Sequence, residues 1–164
     1  MESFLKELEQ ESSGTAKLLR LVPADKGDWK PHVKSMKLKD LATHVADIPR
    51  WITLGLTTDE LDFASSPYNQ QDCNGGEELV AYFEKNVAEA KNHLRKNKDA
   101  ILEETWTMRN GDMIYMKLTK LETLRHSYCQ MVHHRAQLGV YLRLLNIPIP
   151  GVYGPSADDM EAMK

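Results

Sequence analysis

Histidines are the residues of this sequence whose spacing favours chemistry. His126, Gln130 and His134 recur at every fourth position, so on a helix they lie along one side. Helices of a bundle often present metal ligands one turn apart toward the interior, and His44, in an earlier predicted helix, offers a further nitrogen. Three protein ligands leave a coordination position open for water or a substrate, as in catalytic zinc sites. These residues are therefore candidates for a divalent-metal site.

The ordinary alternative for each histidine is a packing or surface role, which single histidines on helices adopt more often than metal ligation. His93 lies in a charged segment and is expected at the surface. Cys129 has no obvious positive neighbour that would activate its thiol, so we expect a small buried side chain there. The sequence contains no glycine-rich nucleotide loop and no G-x-S-x-G or H-E-x-x-H motif. Nucleotide-binding and common hydrolase functions are therefore without support.

Helical periodicity runs through most of the chain and must position these side chains. The apolar residues predict four helices, at residues 4–21, 37–54, 77–94 and 119–145. Ser35 is predicted to cap the second helix. Pro49 is predicted to kink that helix, because proline lacks the amide hydrogen that the helix would use.

The segments between the helices predict a small amount of other structure. Residues 57–76 are predicted as a surface loop with a short helical turn at 58–63. Before the last helix, β-forming residues flank Asn110-Gly111, and this pattern predicts a hairpin because both turn residues tolerate positive φ. The fold class is therefore predicted as all-α, a four-helix bundle with a small β-hairpin before the last helix.

The last predicted helix is apolar on more than one side. Val132, Val140 and Leu144 lie well away from the stripe that the other apolar residues form. A helix with a second apolar side is usually buried twice. A second subunit would cover these residues in a homodimer; the alternative is that the first helix or the C-terminal segment of the same chain covers them.

Composition limits the classes of function. The 164 residues suit a single domain spanning 1–164, and the net charge of −3 lacks the basic excess typical of nucleic-acid or anionic-membrane binding. The two cysteines have no paired spacing, which favours a reducing compartment. The acidic N-terminus does not resemble a signal peptide, and no apolar run is long enough to span a membrane. We therefore expect a cytoplasmic protein with no nucleic-acid or membrane partner.

The sequence resembles the DinB-like (DinB/YfiT) superfamily. The resemblance is carried by HHRAQLGVYLR at 133–143, by IPIP at 147–150 and by YGPSAD at 153–158, which together look like the family's C-terminal signature. LATHV at 41–45, followed by Pro49 and Trp51, is similar to the family's second-helix motif. The order of helices and the late hairpin fit along nearly the whole chain.

The resemblance implies a bundle in up-down-down-up order, commonly dimeric, and a divalent metal, most often nickel or zinc. Carried over position by position, the metal ligands are His44, Gln130 and His134, with glutamine where the family has the first histidine of an H-x3-H pair. A glutamine oxygen is a poorer ligand than imidazole for late transition metals, so metal affinity should be weak or lost. His126 and His133 are alternative ligands, although His126 lies a full turn away and His133 points about 100° from His134 on a helix.

The resemblance also implies a function. The leading hypothesis is a metal-dependent enzyme, a transferase or hydrolase that uses a low-molecular-weight thiol or water to attack a small-molecule substrate. Asp47, one turn after His44, is a candidate to orient that histidine; the alternative is an exposed acid. The second hypothesis is a non-catalytic, dimeric bundle that binds a ligand or a partner, with a metal site degenerate through Gln130.

Overall fold

The computed structural model describes residues 1–66 and 68–164. These residues include six α-helices and one small sheet. The helices are α1 (Glu2–Arg20), α2 (Leu38–Asp47), α3 (Pro49–Thr57), α4 (Gly76–Lys96), α5 (Lys120–Leu144) and α6 (Ala157–Ala162). The strands are β1 (Glu60–Asp62), β2 (Thr105–Asn110) and β3 (Met113–Thr119). In the described ranges, no helix is long and apolar enough to cross a membrane.

The second predicted helix is two helices. Pro49 is the first residue of α3, where a missing amide hydrogen costs nothing, and Ile48 joins α3 to α2. The predicted Ser35 cap is wrong, because α2 begins after Lys37 and the Ser35 amide donates to the carbonyl of His32 in a preceding turn. Because of this break, His44 lies in α2, and α3 is a separate helix that begins at Pro49.

The sheet corrects one prediction and confirms another. β2 and β3 form the predicted antiparallel hairpin, but its turn residues are Gly111, at φ 58°, and Asp112, because Asn110 ends β2 and pairs with Met113. The predicted helical turn at 58–63 is wrong: β1 lies parallel to β2 and makes a three-stranded sheet. The Asp62 carboxylate accepts hydrogen bonds from the amides of Ala64 and Gly111, at 3.0 and 2.9 Å. The Gly111 contact spans 49 positions and, with the pairing to β2, holds β1 in the sheet, so the local sequence does not indicate this strand.

The helices pack through one hydrophobic core. Helix α4 contacts α1, α2 and α3, and α5 contacts the same three helices. The largest fully buried side chains include Phe83 of α4, Tyr128 of α5 and Trp106 of β2. The Trp106 indole donates to the Thr58 hydroxyl at 3.0 Å, which fastens the sheet to the end of α3. The up-down-down-up order stays a prediction from the resemblance.

The C-terminal segment lies along the second apolar side of α5. It leaves a groove of about 460 Å³ beside Val140 and Leu144, whose side chains remain 58% and 55% exposed, while Val132 is half-buried. Close approach of the segment to α1 depends on Gly14, since a Cβ there would lie 2.6 Å from Val152 Cγ1. The same chain therefore flanks this side of α5 without covering it.

A buried ion pair joins α1, α5 and the C-terminal segment. Arg135 Nη1 lies 2.6 Å from Glu11 Oε2, and it also donates to the Thr15 hydroxyl at 3.2 Å. The Tyr153 hydroxyl accepts from Arg135 Nη2 at 2.7 Å and donates to Glu11 at 2.8 Å. Buried charges are tolerated only when they are paired and hydrogen-bonded in this way.

Replacing Arg135 with alanine should sharply destabilise the fold, because Glu11 would keep a buried charge without its partner. We expect Arg135→Ala to lower the free energy of unfolding by about 3 to 5 kcal/mol. Arg125→Ala is the matched control, since the Arg125–Glu7 pair joins the same two helices but is largely exposed. It should cost about 1 kcal/mol or less. Urea denaturation measures both, and equal losses would contradict the structural role of Arg135.

Candidate metal and ligand site

His44 and His134 meet where α2 packs against α5. Their ring centroids lie 4.5 Å apart and the ring planes cross at 79°. Gln130, one turn before His134, places its Oε1 at 2.8 Å from His134 Nε2. The structure therefore brings together the three side chains that were predicted as metal ligands, and each belongs to a rigid helix.

An amide oxygen lies beside each ring nitrogen of His134, and a neutral imidazole, which has a single N–H, can donate to only one of them. Nε2 faces Gln130 Oε1, and Nδ1 lies 2.9 Å from Gln137 Oε1. A metal ion at Nε2 would replace the contact with Gln130 and take the amide oxygen as a neighbouring ligand. Within residues 1–66 and 68–164, no group of three or more histidine, cysteine, aspartate or glutamate side chains forms a metal cluster. The donor set is thus two imidazoles and one amide oxygen.

Burial favours the neutral form of both imidazoles. It lowers the pKa of His44, with a further lowering from His134, while Asp47 acts in the opposite direction. Burial likewise lowers the pKa of His134. The hydrogen bond with Gln137 acts in the opposite direction, and the nearby His133 lowers the pKa further. A neutral imidazole is the form that ligates a metal.

Asp47 is completely buried, so the interpretation as an exposed acid is wrong. Its carboxylate accepts hydrogen bonds from the hydroxyls of Tyr68 and Tyr82, and Arg50 Nη1 lies 3.8 Å away. Burial and the neighbouring carboxylate raise the pKa of both Tyr68 and Tyr82, so both act as neutral donors. Two phenolic donors and a nearby guanidinium allow the charge to remain in the interior.

Gln70 connects this carboxylate to His44. Its amide nitrogen lies 3.4 Å from His44 Nδ1 and 3.4 Å from Asp47 Oδ2. Arg50 holds the same loop by donating to the carbonyl of Asn69 at 3.0 Å and by stacking 4.5 Å from the centre of the Tyr68 ring. Gln70 therefore bridges Asp47 and His44, and the orienting role of Asp47 stays a prediction.

A cavity of about 130 Å³ adjoins the two helices. Ile48, Trp51 and Met108 form its apolar walls, and His44, His126, Ser127 and Gln130 line the remainder. His126 makes no side-chain hydrogen bond to the residues that the structure describes. The site is thus a pair of imidazoles beside a small, mainly apolar chamber.

Two other candidates lie apart from this cavity. The His133 side chain is exposed and its ring centroid is 4.8 Å from that of His134. Cys129 is exposed, so the prediction of a buried thiol is wrong. Both residues lie on α5 at positions that turn away from the core.

Comparison with known proteins identifies the family. The family model described as DinB family matches residues 1–164. The chain belongs to the DinB family. Comparison with curated proteins finds no match.

Two solved structures share the fold of this DinB-family chain. A DinB-like protein from Bacillus subtilis superposes with a TM-score of 0.72 at 14% identity, covering 92% of this chain and 97% of its own. A DinB-like protein from Bacillus cereus ATCC 10987 gives a TM-score of 0.71 at 20% identity, covering 93% and 97%. At these identities the likeness concerns the fold alone.

Sequence reasoning missed three residues of this DinB-family site. Tyr82 falls within the predicted helix at 77–94, where it counts as one of the apolar residues, yet its hydroxyl donates to Asp47. Tyr68 and Gln70 fall in a loop with no periodicity, so no local signal indicates their contacts. A weak signal for Tyr82 was available, because a buried tyrosine normally directs its hydroxyl to a polar partner.

The metal-free protein should lose stability in mild acid. The folded-state pKa of His44 and His134 is lowered, so the unfolded chain binds protons that the folded chain does not. The stability that the two neutral imidazoles contribute is fully present above the unfolded-state pKa of about 6.5. It is lost as the pH falls through the pKa values of the folded state. The free energy of unfolding, measured in urea between about pH 7.5 and about pH 5, should therefore fall with pH.

The double variant His44→Gln/His134→Gln should show a smaller loss over the same pH range. His32→Gln, at an exposed histidine outside the site, is the control and should keep the wild-type dependence. An identical pH dependence in the double variant and the wild type would contradict the assignment.

Proposed function

We propose that this DinB-family protein binds a divalent metal ion through His44, His134 and the amide oxygen of Gln130. The observation that carries the proposal is the convergence of these side chains, with 4.5 Å between the two imidazole rings and 2.8 Å between Gln130 Oε1 and His134 Nε2. Ligands bound at about 2.1 Å lie roughly 3 Å apart around one ion, which this spacing fits. Two imidazoles favour nickel or zinc, and the amide oxygen weakens that preference.

The function that follows is a metal-dependent enzyme acting on a small molecule, of transferase or hydrolase type. When bound, the ion would lower the pKa of a low-molecular-weight thiol or a water molecule and so supply the nucleophile. The chain's own residues perform the remaining tasks. Burial keeps His44 and His134 neutral, the Asp47–Gln70 contact orients His44, and the walls formed by Ile48, Trp51 and Met108 limit access of water.

A second candidate function is non-catalytic ligand binding at a degenerate metal site. It is supported by the two glutamine side chains beside His134, since Gln130 places an oxygen 2.8 Å from Nε2, Gln137 places one 2.9 Å from Nδ1, and one of these oxygens accepts the imidazole N–H. A metal ion must break one of these contacts before it can bind, whereas a neutral organic ligand in the adjoining cavity need not.

Metal content separates the two functions. Elemental mass spectrometry on untagged protein, purified without chelator, should find about one nickel or zinc ion per chain, and His134→Ala should lose it. Gln130→His should raise the affinity roughly tenfold or more, because imidazole replaces an amide oxygen. His126→Ala is the control, because this residue lies outside the proposed ligand set and the metal content should not change.

The opposite result favours the second function. If the wild-type protein stays empty with added nickel and zinc while Gln130→His binds them, then Gln130 prevents metal binding and the catalytic proposal is wrong. If neither the wild-type protein nor Gln130→His binds nickel or zinc, these three positions do not form a metal site with either residue at position 130.

We further propose a cytoplasmic homodimer of up-down-down-up bundles. The exposed Val140 and Leu144 lie one turn apart on α5, and the groove beside them offers a second copy an apolar surface. Antiparallel packing of this face on itself would give a two-fold interface. The molar mass from light scattering should be twice that of the 18.7 kDa chain, and Val140→Glu/Leu144→Glu should halve it. A monomeric wild-type protein would overturn the dimer and leave the metal proposal intact.

A further inference from the structure

His44 lines two hollows of opposite character. The inner hollow is the 130 Å³ cavity with Ile48, Trp51 and Met108 as its walls. The outer hollow measures about 290 Å³ and is lined by polar groups that include Thr43, Gln70 and Gln71. Because His44 belongs to the lining of both hollows, a molecule that occupied both would lie beside this residue.

The inner hollow suits a compact apolar group. Apolar cavities of about this size hold four to six non-hydrogen atoms, with benzene near the upper limit. Two of its polar groups are engaged, since the Ser127 hydroxyl donates to the carbonyl of Thr123 at 3.0 Å and Gln130 Oε1 contacts His134, whereas the Trp51 indole N–H has no partner within the described residues. No carboxylate or permanently charged side chain belongs to its lining. Burying a charged group there would carry a large desolvation cost.

The outer hollow suits a neutral polar group. Lys39 and Asp72 form an ion pair, so their charges offset one another, and the negative charge of Asp40 disfavours an anionic group here. Thr43, Gln70 and Gln71 provide uncharged side chains that can both donate and accept hydrogen bonds. A neutral head group with hydrogen-bonding atoms finds partners here without adding charge beside the proposed metal ion.

We propose that the site binds a neutral, amphiphilic small molecule. Its apolar end, of about four to six non-hydrogen atoms, lies in the inner hollow, and its polar end lies in the outer one. The bond that joins the two ends is then held beside His44. This inference rests on the proposed function, because it names the class of molecule that the same site takes.

Pentanamide is a suitable probe because it joins a butyl chain to a neutral amide. Binding is followed by NMR of the ¹⁵N-labelled full chain, with and without added nickel or zinc. The Trp51 indole N–H is the reporter, since it lines the inner hollow and makes no hydrogen bond within the described residues. Pentanamide should shift this resonance with a dissociation constant of roughly millimolar order, as expected for so small a ligand.

Two matched amides test the two ends of the ligand. Acetamide keeps the head group and lacks the chain, and succinamide has similar length with polar groups at both ends. Neither should shift the Trp51 resonance at the concentration where pentanamide does. If succinamide shifts it equally, the inner hollow does not select an apolar group and the inference is wrong.

Ser127 provides a matched pair of variants. Ser127→Leu should fill much of the inner hollow and weaken pentanamide binding by roughly tenfold or more, since several methylene groups lose their burial. Ser127→Ala removes the hydroxyl without filling the hollow, so a loss of binding in Ser127→Leu that exceeds the loss in Ser127→Ala comes from the added side-chain volume. Met108→Ala enlarges the hollow from the sheet side and should raise the relative affinity for heptanamide. If Ser127→Leu does not fold, Met108→Ala still tests the proposal, and an unchanged chain-length preference overturns it.

Failure of the inference is distinguishable from failure of the proposed function. Bound metal without a pentanamide response at Trp51 overturns the ligand class and leaves the metal site standing. A pentanamide response in a protein that binds no metal supports the ligand class and overturns the metal-dependent enzyme.

Discussion

The burial of the Asp47 carboxylate is the constraint on which the site depends. A fully buried charge must be hydrogen-bonded, and here the donors come from α4 through Tyr82 and from residues 68–75 through Tyr68. These two hydrogen bonds therefore hold α4 and the segment that carries Tyr68 against α2. Gln70 arrives with that segment and reaches His44. A single buried anion thus determines which elements surround the candidate ligand.

On the opposite side of the site, a metal ion would compete with the Gln130 side chain for His134 Nε2. His134 can bind a metal ion at Nε2 only by giving up its contact with Gln130, while Gln137 continues to hold Nδ1. A histidine at position 130 would instead act as a second strong ligand. The local chemistry of one side chain therefore decides between a metal centre and a hydrogen-bonded pair of residues, within an unchanged fold.

Helix α5 combines two structural tasks. Toward the core, its Arg135 is paired with Glu11 of α1 and contacts Tyr153 of the C-terminal segment. These contacts hold α5 against α1, and the same helix carries His126, Gln130 and His134 toward α2. The rigidity that the ion pair supplies at one position of α5 supports the precision of the site at another.

The amino-acid sequence by itself indicated four helical segments, the hairpin, and His44, Gln130 and His134 as residues of one site. Apolar periodicity, Pro49 and the Asn110-Gly111 turn are local signals, and the resemblance placed His44, Gln130 and His134. Only the tertiary structure decided that Asp47 is buried, that 60–62 pairs with β2, and that Tyr68, Gln70 and Tyr82 belong to the site. These features depend on contacts between residues 21 to 49 positions apart, so no local pattern can specify them.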